Sequence, residues 1–546
     1  MKRECHGPQK RAIQAIKDSS GAWTCAGWMA RSGRAMTIMG CLAASGVNAQ
    51  PATFHLQEAT IASIHAAFAS GALTCTRLTR AYLDRIDAYN LKGPTLRAIV
   101  TVNPRAMEIA AELDRSYAAS RTNVRPLHCI PIVLKDNYDT ADMPTSGGNL
   151  AMKASQPAKD AFTVTKMRAT GALILAKANM QELARGGMSI SSVAGQVLNP
   201  YDLMRTPGGS SGGTGAALAA NLATIGTGSD TGQSIRSPSS ANNLVGVRPT
   251  RGLVSRAGVI PASQTQDELG PIARSVRDAA VLLDAMAGYD PSDPVTAYGR
   301  DHHTQSYTHL LASGALKGVR IGVLTNLFGA EARHREVNDA MEKLAARMQA
   351  LGAVVVRVAL PEYDRLAPTM DTSVLEGKIV MDRYFATLPA NAPVKSFAQL
   401  VATKTSAVQK TLEQELAVQD GMNSAVYKTR MLQRETLRMA VAKLFADNNL
   451  DAVLYPHQRI LVAPVSLGDQ PERNGILSNG TGYPAVTFQA GFSAATNTAP
   501  LGVPVGAELL GLDFSEDKLL SYAYALEQAA NPRRSPRTTP PLPGEP

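Results

Sequence analysis

Cysteine is scarce in this chain: 546 residues contain five, and three of them (Cys5, Cys25 and Cys41) fall in the first 49. The remaining two, Cys75 and Cys129, have no metal-ligand spacing, and Cys129 sits within an apolar stretch, so buried free thiols are the expected state. Nine histidines fall in no motif, and there is no GxSxG elbow, so a Ser-His-Asp system has no support. A Gly-Lys-Ser/Thr ending is also missing, which excludes a nucleotide phosphate loop. The apolar run Ala35 to Val47 is about a dozen residues long, short of the roughly 20 that cross a bilayer. No stable membrane span is expected. Neither internal repeats nor a coiled coil are visible between residues 50 and 530.

Against these absences stand a 45% hydrophobic content and a formal charge of +10. The first figure excludes disorder for most of the chain. The second would suit a nucleic-acid or anionic-membrane partner if it were concentrated on the folded body. It is not: Lys2, Arg3, Lys10, Arg11, Lys17, Arg31 and Arg34 face only Glu4 and Asp18, which puts half the surplus in the first 49 residues. Arg31 and Arg34, the apolar run and Val47-Asn48-Ala49 have the order of a signal peptide, with cleavage expected after Ala49 and export to the periplasm or medium. Translation from Met29 or Met36 fits that pattern better than Met1. A lipoprotein site at Cys41 and a basic leader that stays attached are lesser alternatives. Export would place Cys75 and Cys129 where a disulfide is possible.

Periodicity gives the body's organisation. A helix is expected over Ile61 to Ala69, stopped by Gly71, and a second after Thr74 with Leu78, Tyr82, Leu83 and Ile86 on one face. Ile132-Val133-Leu134 and Leu173-Ile174-Leu175 read as buried strands. Strand Arg320 to Leu324, a helix carrying Val337, Met341, Leu344, Met348 and Leu351, and strand Val354 to Val358 form a parallel βαβ unit. Helical pattern fills a segment from about 371 to 446, and strand returns at Ala452 to Tyr455. The expectation is one large α/β domain over 50–530, with a mixed, mostly parallel central sheet covered by helices on both faces. Residues 531–546, with six prolines and three arginines, read as a disordered tail.

Chemistry concentrates in residues 206–240, where nothing from Thr206 to Ser229 is ionisable. In Asp230-Thr231-Gly232-Gln233-Ser234, successive backbone N–H groups can converge beside a serine hydroxyl, as acyl transfer requires for the oxygen that gains negative charge. A serine needs a base. Lys135, carried inward at the end of the apolar run Ile130 to Leu134, can be one if desolvation leaves its amine neutral.

These segments resemble the amidase signature family. Its GGSSGG element stands here as Gly208 to Gly213, and its GTDxGGSIRxP block as Gly228-Ser229-Asp230-Thr231-Gly232-Gln233-Ser234-Ile235-Arg236-Ser237-Pro238. Pro131 to Asp136, Lys177 to Glu182, Val245 to Thr250, Gly482 to Val486 and Gly502 to Gly506 continue the likeness over about Ala59 to Ala529. The resemblance implies the amidase signature fold and a Ser-cisSer-Lys triad of Ser234, Ser210 and Lys135. It also implies an oxyanion hole from the N–H groups of Thr231, Gly232, Gln233 and Ser234. Asp230 and Arg236 would brace the loop, and Ser211 would support it by hydrogen bonding. Gln233 departs from the family's usual glycine, so a side chain projects near the oxyanion. Thr145, Ser146 and Met180, with the Asn479 to Tyr483 segment, are expected to line the substrate site.

The implied activity is hydrolysis of a small amide through an acyl-enzyme, with no cofactor, no metal and no nucleic acid, by a monomer or homodimer. The alternatives on the same triad are a glutamine-hydrolysing amidotransferase component of the A type, or a carbamate or ester hydrolase. A scaffold with a dead triad is disfavoured because all three positions are filled.

Overall fold

The computed structural model describes residues 54–121, 124–302, 305–530 and 533–546. The leader, the Ala49 cleavage site and Cys41 lie outside them. Entry to the fold is set by capping chemistry. Thr60 and Ser63 exchange side-chain-to-backbone hydrogen bonds in a capping box that starts the helix Ile61–Ser70, and Gly71, at φ 76°, ends it. Thr74 accepts from the Arg77 N–H and opens the helix Cys75–Tyr89, which buries Leu78, Tyr82 and Ile86.

Thirteen strands are present among the described residues: β1 Ile99–Val102, β2 Pro131–Lys135, β3 Leu173–Ala178, β4 Ile190–Ser191, β5 Gly195–Gln196, β6 Ile225–Asp230, β7 Val245–Arg248, β8 Glu268–Ala273, β9 Arg320–Leu324, β10 Val354–Val358, β11 Ala452–Pro456, β12 Ala485–Phe492 and β13 Pro504–Leu510. Eleven join one sheet in the order β1-β3-β2-β6-β8-β7-β12-β13-β11-β9-β10, while β4 and β5 pair separately. The expected βαβ unit forms, with β9 and β10 parallel around the helix Arg335–Ala350. The sheet is mixed and flanked by helices, as expected, but it is not mostly parallel. Only β2 with β3, β2 with β6, β9 with β10 and β9 with β11 run parallel. The six remaining pairs are antiparallel and occupy the centre and one edge. The cause is connectivity: β7 reaches β8, and β12 reaches β13, through returns that contain no crossover helix.

The core follows the sheet. Every residue of β2, β3, β6 and β8 is buried, which explains why these strands read as continuous apolar or small-residue runs rather than as alternation. The helix Gly212–Ala219 is buried throughout, and Gly213 lies so close to the Asn179 backbone that a Cβ there has no room. The 371–446 segment is helical, with Ser373–Phe385, Phe397–Ala402, Gln409–Leu416 and Ala425–Asn448. No helix among the described residues is long and apolar enough to cross a membrane.

Two expectations are corrected. Cys75 and Cys129 are not free thiols: they form a disulfide, with Cα atoms 5.7 Å apart, that ties the second helix to the approach of β2. The apolar surroundings that pointed to free thiols equally suit a buried cross-link. Described residues 533–546 are not a loose tail either. The Tyr201 hydroxyl donates to the Arg534 carbonyl (2.6 Å), buried Arg85 donates to the Thr539 carbonyl (2.9 Å) and pairs with Glu545 (2.7 Å), and the Leu56 N–H donates to the Pro546 carbonyl (2.9 Å). Proline excludes helix and sheet, but it leaves carbonyls free to accept from buried donors.

Candidate active site

Strand β2 delivers Lys135 to the interior, where the side chain is fully buried. Its amine lies 2.7 Å from Ser210 Oγ, 2.8 Å from Ser229 Oγ and 3.1 Å from the Ser229 carbonyl. Burial pushes its pKa from 10.5 down to about 7, against the opposing pull of Asp230 and Asp267. A neutral amine fits this shell. It donates twice to Ser229 and has a lone pair left to accept the Ser210 hydroxyl proton. Ser229 escaped the sequence reading, because it lies inside the motif and its type is not informative. Asn137 holds it from the other side, donating to Ser229 Oγ at 3.0 Å.

Ser210 follows a cis peptide bond with Gly209. Its carbonyl accepts from the Gln181 N–H (2.9 Å), and the next residue, Ser211, donates its N–H to the Ser234 carbonyl (3.3 Å). The two serine-bearing segments are thereby stitched together. Ser211 Oγ faces the Ser229 carbonyl at 3.5 Å.

The segment from Asp230 to Ser234 is held by its carbonyls. Thr231 O accepts from Asn479 Nδ2 (2.9 Å) and Gln266 Nε2 (3.2 Å), and Gly232 O accepts from Arg236 Nη2 (2.7 Å). A trans peptide points its N–H opposite to its C=O, so fixing these two oxygens aims the N–H groups of Gly232 and Gln233 the other way. No protein acceptor among the described residues takes the N–H of Thr231, Gly232, Gln233 or Ser234. Unpartnered donors on a fixed backbone suit an oxygen that develops charge during a reaction.

Arg236 is the brace. It is fully buried, forks onto Asp230 (3.1 and 3.2 Å) and reaches Glu508 (2.9 Å). Arg248 adds a second cation beside Asp230. Burial alone would raise the Asp230 carboxyl, but Arg236 and Arg248 hold it well below the ordinary carboxylate range. Glu508 is likewise brought down to about 2, burial opposing while Arg236 and His457 prevail. Both acids therefore stay ionised and paired with arginine, while Asp267, the other acid that acts on Lys135, accepts from the Thr231 hydroxyl and the Ala262 and Ser263 N–H groups.

Thr231 to Ser234 line a cleft of about 600 Å³, together with Arg185, Gln266, Glu415, Gln470, Arg473 and Asn479. A second cleft of about 470 Å³, with Ser229, Leu269, Val380 and Tyr384 in its wall, shares Ala184, Thr231 and Ala262 with the first. Asn479 thus reaches the site from the expected 479–483 segment, whereas Tyr483 turns away to meet Arg438. Thr145, Ser146 and Met180 do not line either cleft, contrary to expectation. Thr145 accepts from buried Lys177 (2.9 Å), Ser146 donates to Asp136, and Met180 is fully buried. Nearness to Lys135 in sequence misled here, because the chain after β2 turns these side chains into packing around the Lys177–Asp136 pair (3.6 Å). No cluster of three or more His, Cys, Asp or Glu residues placed to hold a metal occurs among the described residues.

Comparison with known proteins agrees with the motifs. The family model described as Amidase matches residues 77–520. A probable amidase of Arabidopsis thaliana is 34% identical over 509 residues, covering 89% of this chain and 92% of that protein. The A component of the glutamyl-tRNA(Gln) amidotransferase of Geobacter sp. (strain M21) is 33% identical, covering 86% of this chain and 97% of that protein. Among solved structures, the native peptide amidase from Stenotrophomonas maltophilia superposes with a TM-score of 0.81 at 37% identity, covering 88% of this chain and 99% of that one.

Proposed function

The chain belongs to the amidase signature family, whose members hydrolyse amide C–N bonds, and from that premise we propose that it is an exported serine amidase working through an acyl-enzyme on Ser234. The observation that carries this reading is the buried Lys135 amine 2.7 Å from Ser210 Oγ, with its pKa brought down to about 7. In the proposed sequence, Ser234 Oγ attacks the substrate carbonyl and loses its proton to Ser210, which passes its own to Lys135. The carbonyl oxygen, now negative, is held by the free N–H groups of the 231–234 segment. Lys135 and Ser210 return the proton to the departing nitrogen, since an amine anion is too basic to leave unprotonated. Water then enters by the reverse relay, adds to the acyl carbon and releases the carboxylate and Ser234. Residues of this chain supply every proton transfer.

The Cys75–Cys129 disulfide supports export, because such bonds persist in oxidising compartments. The likeness to a peptide amidase makes peptide amides the first class to assay. The likeness to an amidotransferase A component over nearly its whole length favours a second reading, release of ammonia from glutamine. Purified mature protein assayed against peptide amides, aliphatic and aromatic amides, esters, carbamates and glutamine separates these readings. Amide turnover in the wild type that disappears in Ser234→Ala is the expected result. Undiminished turnover in that variant refutes the assignment.

A further inference from the structure

The cleft beside Ser234 contains two arginines in opposite situations. Arg185 is spoken for: its Nε and Nη2 bind the two oxygens of Glu415 at 3.1 and 2.9 Å. Arg473 has no hydrogen-bond or ion-pair partner for its guanidinium among the described residues, although it stands in the cleft wall. The neighbouring acids do not neutralise it. Glu472 is taken by His334 (2.6 Å) and Arg333 (2.9 Å), and Asp469, whose charge acts on Arg473, forms no ion pair with it. The Arg473 side chain is exposed in the cleft wall, and Asp469 acts on it without pairing, so its guanidinium fork is open to an incoming anion.

A second donor points to the same place. Gln233, the departure from the family glycine, is 6% exposed, lines the cleft, and has a buried Nε2 that no acceptor among the described residues takes. By turning into the cleft that its residue lines, this amide would meet a ligand oxygen. Gly187 brings the two together. A Cβ built on it would lie 3.0 Å from Arg473 Nη1 and 3.0 Å from Gln233 Nε2, so both nitrogens stand over the bare glycine. No positive φ accompanies Gly187, so its small size, not its backbone, is what the arrangement uses. The segment carrying Arg473 is anchored on both sides: Gln470 donates to the Gly187 carbonyl, and Asn474 Nδ2 donates to the carbonyls of Leu327 (2.9 Å) and Pro456 (2.8 Å).

We propose that Arg473 and Gln233 form a carboxylate subsite next to the nucleophile, so that the enzyme favours amides carrying a carboxylate near the scissile bond. The inference rests on the Ser234 chemistry above and adds a substrate class to it. A guanidinium fork matches the two oxygens of a carboxylate, and a cleft that excludes part of the solvent strengthens the pair.

The test compares kcat/KM for glutaramate against pentanamide, which places the charge on the acyl side, and for N-acetyl-β-alanine against N-propylacetamide, which places it on the amine side. The wild type is expected to favour the carboxylate member of one pair by about 10- to 100-fold, as a charge-assisted hydrogen-bonded contact warrants. In Arg473→Gln that ratio should fall to near one, and Arg473→Lys should retain part of it, with circular dichroism confirming that both variants fold. A wild type that hydrolyses the neutral amides with no preference in either pair overturns the subsite and leaves the Ser234 chemistry standing. So does a preference that survives in Arg473→Gln. Absence of hydrolysis of any amide overturns both.

Discussion

Replacing Lys135 by alanine separates the two halves of the proposed reaction, and its consequences follow from the geometry. The amine contacts Ser210 Oγ at 2.7 Å and forms no ion pair among the described residues, although Asp230 and Asp267 act on it from farther off, so it is placed as a proton acceptor rather than as an ion-pair partner. General acid–base contributions of this kind are worth about 10²–10⁴-fold in rate. An amide needs the proton back on its nitrogen and should lose at least that much, whereas an ester with a good leaving group should lose about tenfold or less. The pH dependence has a definite sign. Burial lowers the Lys135 pKa to about 7, so the active neutral amine accumulates as pH rises through 7, and amide kcat/KM should climb with unit slope below pH 7 and level off above it. Lys135→Ala should lack that limb. Stability has the same sign: between pH 7 and 10.5 the unfolded lysine binds a proton that the folded one does not, so stability rises with pH across that window. A shift from 10.5 to about 7 corresponds to roughly 5 kcal/mol of folding free energy absent at neutral pH, at about 1.4 kcal/mol per unit. Lys135→Met, which fills the space without the charge, should therefore melt no lower than wild type at pH 7 while being inactive on amides. Stopped-flow assays on matched amide and ester substrates from pH 5 to 9, with calorimetry, read all of this. Equal losses on both substrates, or an amide profile flat through pH 7, would refute the relay.

Three further outcomes are expected. Arg236→Met removes the guanidinium that Asp230 and Glu508 share, leaving Asp230 with Arg248 alone and Glu508 with His457 and Tyr455, and should cost about 3–5 kcal/mol in urea unfolding, with loss of acylation from the slackened 231–234 segment. Cys75→Ser with Cys129→Ser, or reduction of the wild type, should lower stability by about 2–4 kcal/mol, given that the bond spans 54 residues; an unchanged midpoint would mean that the cross-link does not constrain the chain. Truncation after residue 532 leaves the buried Arg85 guanidinium without Thr539 O, Pro540 O and Glu545, and should lower the melting temperature measurably at every pH, which a dispensable tail would not do.

What was legible in the sequence was local. The apolar run into Lys135, the helices that begin at Ile61 and after Thr74 and the β9–β10 unit depend on residues a few positions apart, and each stands where periodicity placed it. The motif serines were legible because glycine and serine are packed there to an unusual density, which the close approach of Gly213 to Asn179 explains. What stayed hidden depends on long-range pairing. Arg236 meets Glu508 across 272 residues, and the Asn479 amide reaches the Thr231 carbonyl across 248. No local pattern marks either contact. The central antiparallel pairs escaped for the same reason, since a strand's own sequence does not state its neighbour's direction. Thr145 and Ser146 show the opposite error: proximity in the chain to Lys135 did not translate into proximity to the cleft, because the Lys177–Asp136 pair captures both hydroxyls.

The central claim is that Ser234 becomes covalently acylated. Incubating the purified enzyme with a fluorophosphonate and mapping the modified peptide by mass spectrometry tests it directly. The account predicts one equivalent of label on Ser234, formed faster as pH rises through 7, and none in Ser234→Ala. Label on another residue, or labelling that persists unchanged in Ser234→Ala, would contradict it.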